Sequence, residues 1–162
     1  MFAICWDQVS PLIFTTPEGA GPVVTVDNTL GIRKAFEHLL KHGHRQIAFI
    51  SGNSAQKGDS EERLQAYRVS LKEAGLSEDP GLIAFGEHRR DGDRAAMQQI
   101  LDSRASFTAL IASNDLSCLG ALECLQEAGR HIPEDMAGLR FEQRGKLDMV
   151  PINNIKSHRI HN

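Results

Sequence analysis

Residues 46–52 read Gln-Ile-Ala-Phe-Ile-Ser-Gly. Four apolar residues in succession, with no polar alternation, describe a strand buried on both faces, closed by a small-residue turn. Upstream, Thr29 to His42 carries Ile32, Ala35, Phe36, Leu39 and Leu40 at helical spacing, with Asn28 as the expected cap and Gly43 as the stop. Downstream, a second helix is expected from Asp59 or Ser60 to Gly75, where Asp59 and Glu62 have the spacing of a capping box. A buried strand between two amphipathic helices is the repeating unit of a parallel α/β sheet.

The same rhythm continues in both directions. Leu82-Ile83-Ala84-Phe85 precedes a helix from after Asp91 to about Ser103, and Thr108-Ala109-Leu110-Ile111-Ala112 precedes one from Asn114 or Asp115 to Gly129. Val23 to Val26 opens the series, and a weaker fifth strand covers Met136 to Phe141. The predicted fold class is therefore α/β, a parallel sheet flanked by helices on both faces. Its ligand-bearing residues are expected after the strands: Asp27-Asn28, Ser51 to Ser60, Gly86 to Asp91, Ser113 to Asp115 and Glu142. Residues 1–21 and 143–162 show no such rhythm, which leaves 22–142 as the α/β unit, between an irregular N-terminal stretch and an atypical tail.

Composition narrows the function. The chain has 162 residues and a formal charge of −3, so a strong phosphate footprint is not expected. No apolar run is long enough to span a bilayer, and the start MFAICWDQVSPLIF lacks the basic end and apolar core of a secretion signal, which points to the cytoplasm and to no membrane partner. Cys5, Cys118 and Cys124 are odd in number and not in CxxC spacing, as in a reduced protein. No serine sits in a GxSxG elbow, and Lys57-Gly58 reverses the order of a phosphate loop. His38 and His42 lie one helical turn apart with His44 nearby, but no supporting ligand motif accompanies them. No catalytic residue, metal or cofactor is therefore expected.

Five stretches, taken in order, carry a family resemblance: VTVDN, KHGHRQIAFISG, ERLQAYRVSLKEAGL, LIAFGEHRRDGDRAAMQQIL and TALIASNDLSCLGALECLQEAGRHIPEDMA. Together they resemble the effector-binding region of LacI/GalR transcription regulators, which have the periplasmic-binding-protein type 1 fold of two lobes hinged around a small molecule. The resemblance implies one lobe, mostly the C-terminal one, of such a sensor domain. The effector would be a sugar or a nucleobase, and the assembly a homodimer. DNA would be reached only through a helix-turn-helix headpiece that these residues do not include. The ends, where Arg140-Phe141-Glu142 stands for the family's Gly-Phe-Asp or Gly-Tyr-Asp, suggest a truncated chain. The alternatives are a transport or signalling receptor of the same fold, a small α/β enzyme of flavodoxin-like or Rossmann shape, for which no phosphate loop or catalytic pair is visible, and a remnant that binds nothing.

The resemblance also implies ligand contacts. Arg63 matches the position that clamps ligand hydroxyls, which a planar guanidinium suits; its structural alternative is a solvated arginine paired with Glu61 or Glu62. Asp27 and Asn114 match strand-end contacts, and either could equally cap a helix. Asp115 reads as a cap. His88 falls where the family places a stacking aromatic, against an exposed loop histidine as the alternative. Glu142 stands for a family aspartate. Cys118 and Cys124 are expected to pack as small apolar groups.

Overall fold

The computed structural model describes residues 27–53, 58–130 and the backbone of 137–140. Its elements run α1 (Asn28–Lys41), β1 (Ile47–Ser51), α2 (Asp59–Glu73), a short 3-10 turn (Pro80–Leu82), β2 (Ile83–Phe85), α3 (Arg90–Asp102), β3 (Ala109–Ala112), α4 (Asp115–Glu127) and β4 (Ala137–Arg140). All strand pairs are parallel, in the order β2-β1-β3-β4. Phe49 is the hub of the register, opposite Ile83 on one side and Ile111 on the other. The chain leaves β1 towards β2 and then returns past β1 to β3. The β1–β3 seam is thus a switch point, and in open sheets the carboxyl edge at such a point is the expected ligand position. The expected strand Val23–Val26, the two ends of the chain, Cys5, Lys57 and Glu142 lie outside the described residues.

Strand alternation divides the core in two. Ile47, Phe49, Ala109 and Ile111 face α1 and α2, where Ile32, Phe36, Leu39 and Tyr67 complete one cluster. Ala48, Ile50 and Leu110 face α3 and α4, against Met97, Ile100 and Leu125. Tyr67 stacks on Phe49 at 4.8 Å, meets Phe36 edge-on at 5.9 Å and donates its hydroxyl to the Ile47 carbonyl at 2.7 Å. Burial holds the Tyr67 phenol above its ordinary pKa. Cys118 and Cys124 are buried, as the helix pattern suggested. On the other layer, a Cβ at Gly120 would meet the Arg94 backbone nitrogen at 2.9 Å, so glycine lets α3 and α4 touch backbone to backbone.

The helix stops stand where expected: Gly43, Gly75 and Gly129 all adopt positive φ, +89°, +67° and +73°. Three starts differ. Asp27, not Asn28, caps α1, accepting from the Leu30 amide at 2.8 Å, while Asn28 lies inside the helix and 2% exposed. Asn28 is buried because its amide has other partners, described below. The Asp59–Glu62 box does not form: Gly58 is the cap of α2, without a side-chain bond, and Glu62 is drawn to Asn28 instead. α3 begins at Arg90, so Asp91 lies inside its first turn. Asn114 caps α4 through the Ser117 amide at 2.8 Å, and Asp115 follows it inside the helix.

Candidate binding site at the carboxyl edge

Arg63 organises the carboxyl edge. It stands at the start of the second turn of α2, reaches the Ser113 carbonyl just past the end of β3, and is only 3% exposed. Nε donates to Asn28 Oδ1 at 2.8 Å, and Nη1 donates to the Ser113 carbonyl at 2.8 Å. Nη2 lies 3.6 Å from Asp59, an i,i+4 partner. The solvated arginine paired with Glu61 or Glu62 is therefore corrected: the guanidinium is buried, and Asp59 is its acid. Burial lowers its pKa from the ordinary arginine value, with Asp59 and then Glu62 opposing. Glu62 completes the chain by accepting from the other end of the Asn28 amide at 2.8 Å. Beside this wall, a groove of about 440 Å³ runs between α1 and α2, bordered by Thr29, Arg33, Glu62, Gln65 and Val69.

A second cluster reaches the same edge from β2. His88 has φ +57°, in the left-handed region, so the loop after β2 is held in a strained turn. The ring is half-buried rather than exposed. Nε2 lies 2.8 Å from Ser60 Oγ, in the first turn of α2, and Nδ1 lies 2.6 Å from Asn114 Nδ2, in the cap of α4. The hydrogen-bond network assigns the tautomer. Asn114 Oδ1 is committed to the Ser117 amide, so its NH₂ must face His88. Nδ1 then accepts, and Nε2 carries the proton and donates to Ser60. The ring packs so closely over Gly52 that a Cβ there would collide with it and with Ser60.

Asp93 lies behind His88, fully buried on α3. Neither carboxyl oxygen has a partner within hydrogen-bond geometry among the described residues. Burial raises its pKa, against the Ser117 hydroxyl and the charge of His88, which pull it down. The Ser117 hydroxyl lies near the carboxyl without forming a hydrogen bond to it. One carboxyl oxygen occupies the place a Cβ at Gly86 would take, so only glycine fits there.

Of the expected site residues, the structure brings Arg63, His88 and Asn114 to one edge. Asp27 stands at the start of α1, exposed, with Oδ1 used as a cap. The hydrogen-bonded network at this edge also includes Asn28, Ser60 and the Ser113 carbonyl, which the sequence did not single out as parts of it. His38 and His42 lie with tilted rings 4.1 Å apart at the far end of α1, and no group of three metal-binding side chains occurs among the described residues.

Residues 36–142 match the periplasmic binding protein-like domain. The chain belongs to that family. The relatives it resembles include LacI/GalR-type transcriptional regulators. It is 38% identical over 126 residues to the transcriptional regulator CelR of Thermobifida fusca, covering 78% of this chain and 37% of CelR. It is 31% identical over 119 residues to GalR of Escherichia coli, covering 74% of this chain and 34% of GalR. Among solved structures, a CelR–cellobiose complex superposes with a TM-score of 0.68 at 39% identity, over 75% of this chain and 37% of that one. The chain thus spans little more than a third of these relatives. No described helix is long and apolar enough to cross a membrane.

Proposed function

We propose that this LacI/GalR-type domain senses a small effector, a sugar, for a transcription regulator. The observation that carries this reading is Arg63, a buried guanidinium at the switch point of a parallel sheet, the place where open sheets of this kind bind ligands. Arg63, Asn114, Asp27 and Glu142 are the proposed ligand contacts, with His88 offering a ring face because both its nitrogens are engaged. The cellobiose complex of CelR supports the choice of a sugar over a nucleobase. Closure of a second lobe would complete the site and alter a homodimer's grip on DNA, through a headpiece outside residues 27–140. Effector drives such a change only by unequal affinity for the two states. The cytoplasm is the compartment this reading requires.

Ser60 and His88 stand at the distance of a nucleophile and its base, which raises the question of hydrolysis. The assigned tautomer favours the binding reading. A base must offer a bare Nε2 to the hydroxyl, and here the Asn114 amide keeps the proton on Nε2. The site is read as a binding site, not an enzyme. Thermal unfolding of the chain with millimolar pentoses, hexoses, cellobiose and nucleobases tests the reading. A selective ligand raises stability by about 2.7 kcal/mol at a hundred times its dissociation constant. A cooperative transition that no sugar moves would refute it.

A further inference from the structure

We propose that His88 is a proton-sensitive positioning residue: its neutral ring ties the first turn of α2 to the cap of α4, and protonation breaks that tie. The ring bridges Ser60 and Asn114, two residues from different elements at the carboxyl edge that Arg63 occupies. The bridge tolerates one ring state. When Nδ1 gains a proton, two donors face each other across the 2.6 Å contact with Asn114 Nδ2. Either the ring swings away, or the Asn114 amide turns over and surrenders its cap to the Ser117 amide. Both outcomes loosen α4 relative to α2 at the edge where the effector is proposed to bind.

Among the described residues, charged groups approach the ring from three elements. Asp93 faces it from α3, Glu87 and Arg89 flank it in its own loop, and Arg63 on α2 holds the carbonyl of Ser113, the residue before Asn114. Ser60 and Gly52 close the α2 and β1 sides with no charge. Asn114 closes the α4 side with a donor that cannot titrate. The element most opposed to a charged ring is thus a neutral amide held in place by a helix cap.

The part that concerns affinity rests on the proposed sensing function; the ring state does not. The first test is a long-range proton–nitrogen correlation spectrum of the full ¹⁵N-labelled chain at about pH 8, above the range in which histidine usually titrates. The expected result is a protonated Nε2 and a bare Nδ1. A proton on Nδ1, or a charged ring, would overturn the proposal. Lowering the pH to about 5 should move the Asn114 side-chain amide and the Ser117 amide together with the ring. In His88→Gln, whose side chain can accept from Asn114 and donate to Ser60 without titrating, those two amides should stay still. Amides that titrate equally in both proteins would refute the tie.

With cellobiose as probe, affinity of the parent chain should fall about tenfold between those pH values, the effect expected of leaving a buried donor unmatched. For His88→Gln, which gives up the ring face and should bind more weakly at both pH values, the change between them should be under about twofold. An equal fall in both would refute the coupling. Failure to bind cellobiose at either pH counts against the sensing function, while the ring spectrum still decides the tie.

Discussion

Replacing Arg63 by alanine removes two hydrogen bonds at once, to Asn28 Oδ1 and to the Ser113 carbonyl, both at 2.8 Å. Both acceptors lie in buried residues, 2% and 0% exposed. A buried acceptor left without a partner costs about 1–3 kcal/mol, so the two together cost about 2–6 kcal/mol. Two effects reduce this. The mutant no longer desolvates a guanidinium, and the carboxyl edge admits water to the orphaned oxygens. The expected loss is about 2–4 kcal/mol. Arg63→Lys keeps the charge but lacks the fork, and should lose about 1–2 kcal/mol. Urea unfolding followed by circular dichroism measures both differences at constant slope. A loss within about 0.5 kcal/mol for Arg63→Ala, the range of an ordinary surface substitution, would refute the view that Arg63 joins α1, α2 and β3.

Asp93 makes the chain's stability depend on pH in a defined sense. Its folded pKa is raised above the ordinary 3.8, so between those values the folded state holds more protons than the unfolded one, and stability falls as pH rises through that window. Asp93→Asn should flatten this part of the profile and be more stable than the parent at pH 7; melting curves with an unchanged slope would contradict it. Gly86→Ala should destabilise by about 2–4 kcal/mol, and Asp93→Ala should recover a substantial part of that in the double variant, because the added methyl collides with the Asp93 carboxyl. Additive losses in the cycle would place the clash elsewhere. Tyr67→Phe should cost about 1 kcal/mol by chemical unfolding, the usual worth of the lost bond to the Ile47 carbonyl, and no measurable loss would show that carbonyl to be otherwise served.

The layered fold was legible because it rests on burial. Ile47 to Ile50 and Ala109 to Ala112 are covered on both faces, and a run of apolar residues records that directly. Helix stops were equally plain, since positive φ at Gly43, Gly75 and Gly129 selects glycine locally. Starts were harder. Asp27 and Asn28 have similar cap preference, and only the partners across 34 and 35 residues, Glu62 and Arg63, decide which one turns inward. The carboxyl-edge rule pointed to strand ends, and the resemblance picked Arg63, His88 and Asn114, which the fold brings to one edge. It left out Ser60 and Asn28 because their roles exist only once α1, α2 and the β2–α3 loop are brought together. Asp93 was invisible for a different reason: a first-turn aspartate reads as a solvated helix start, and nothing local shows that Gly86 leaves room for its carboxyl.

The most direct test of the central claim is a set of proton–nitrogen correlation spectra of the ¹⁵N-labelled chain, recorded during titration with cellobiose and with single pentoses and hexoses. The account requires that a binding sugar shift the Arg63 Nε–H, the Asn114 side-chain amide and the backbone around Gly52 and His88. The α1 corner at His38 and His42 should stay fixed. Shifts confined to that corner or to the outer groove by Arg33 and Val69, or no shifts with any sugar, would contradict the assignment of this edge as the effector site.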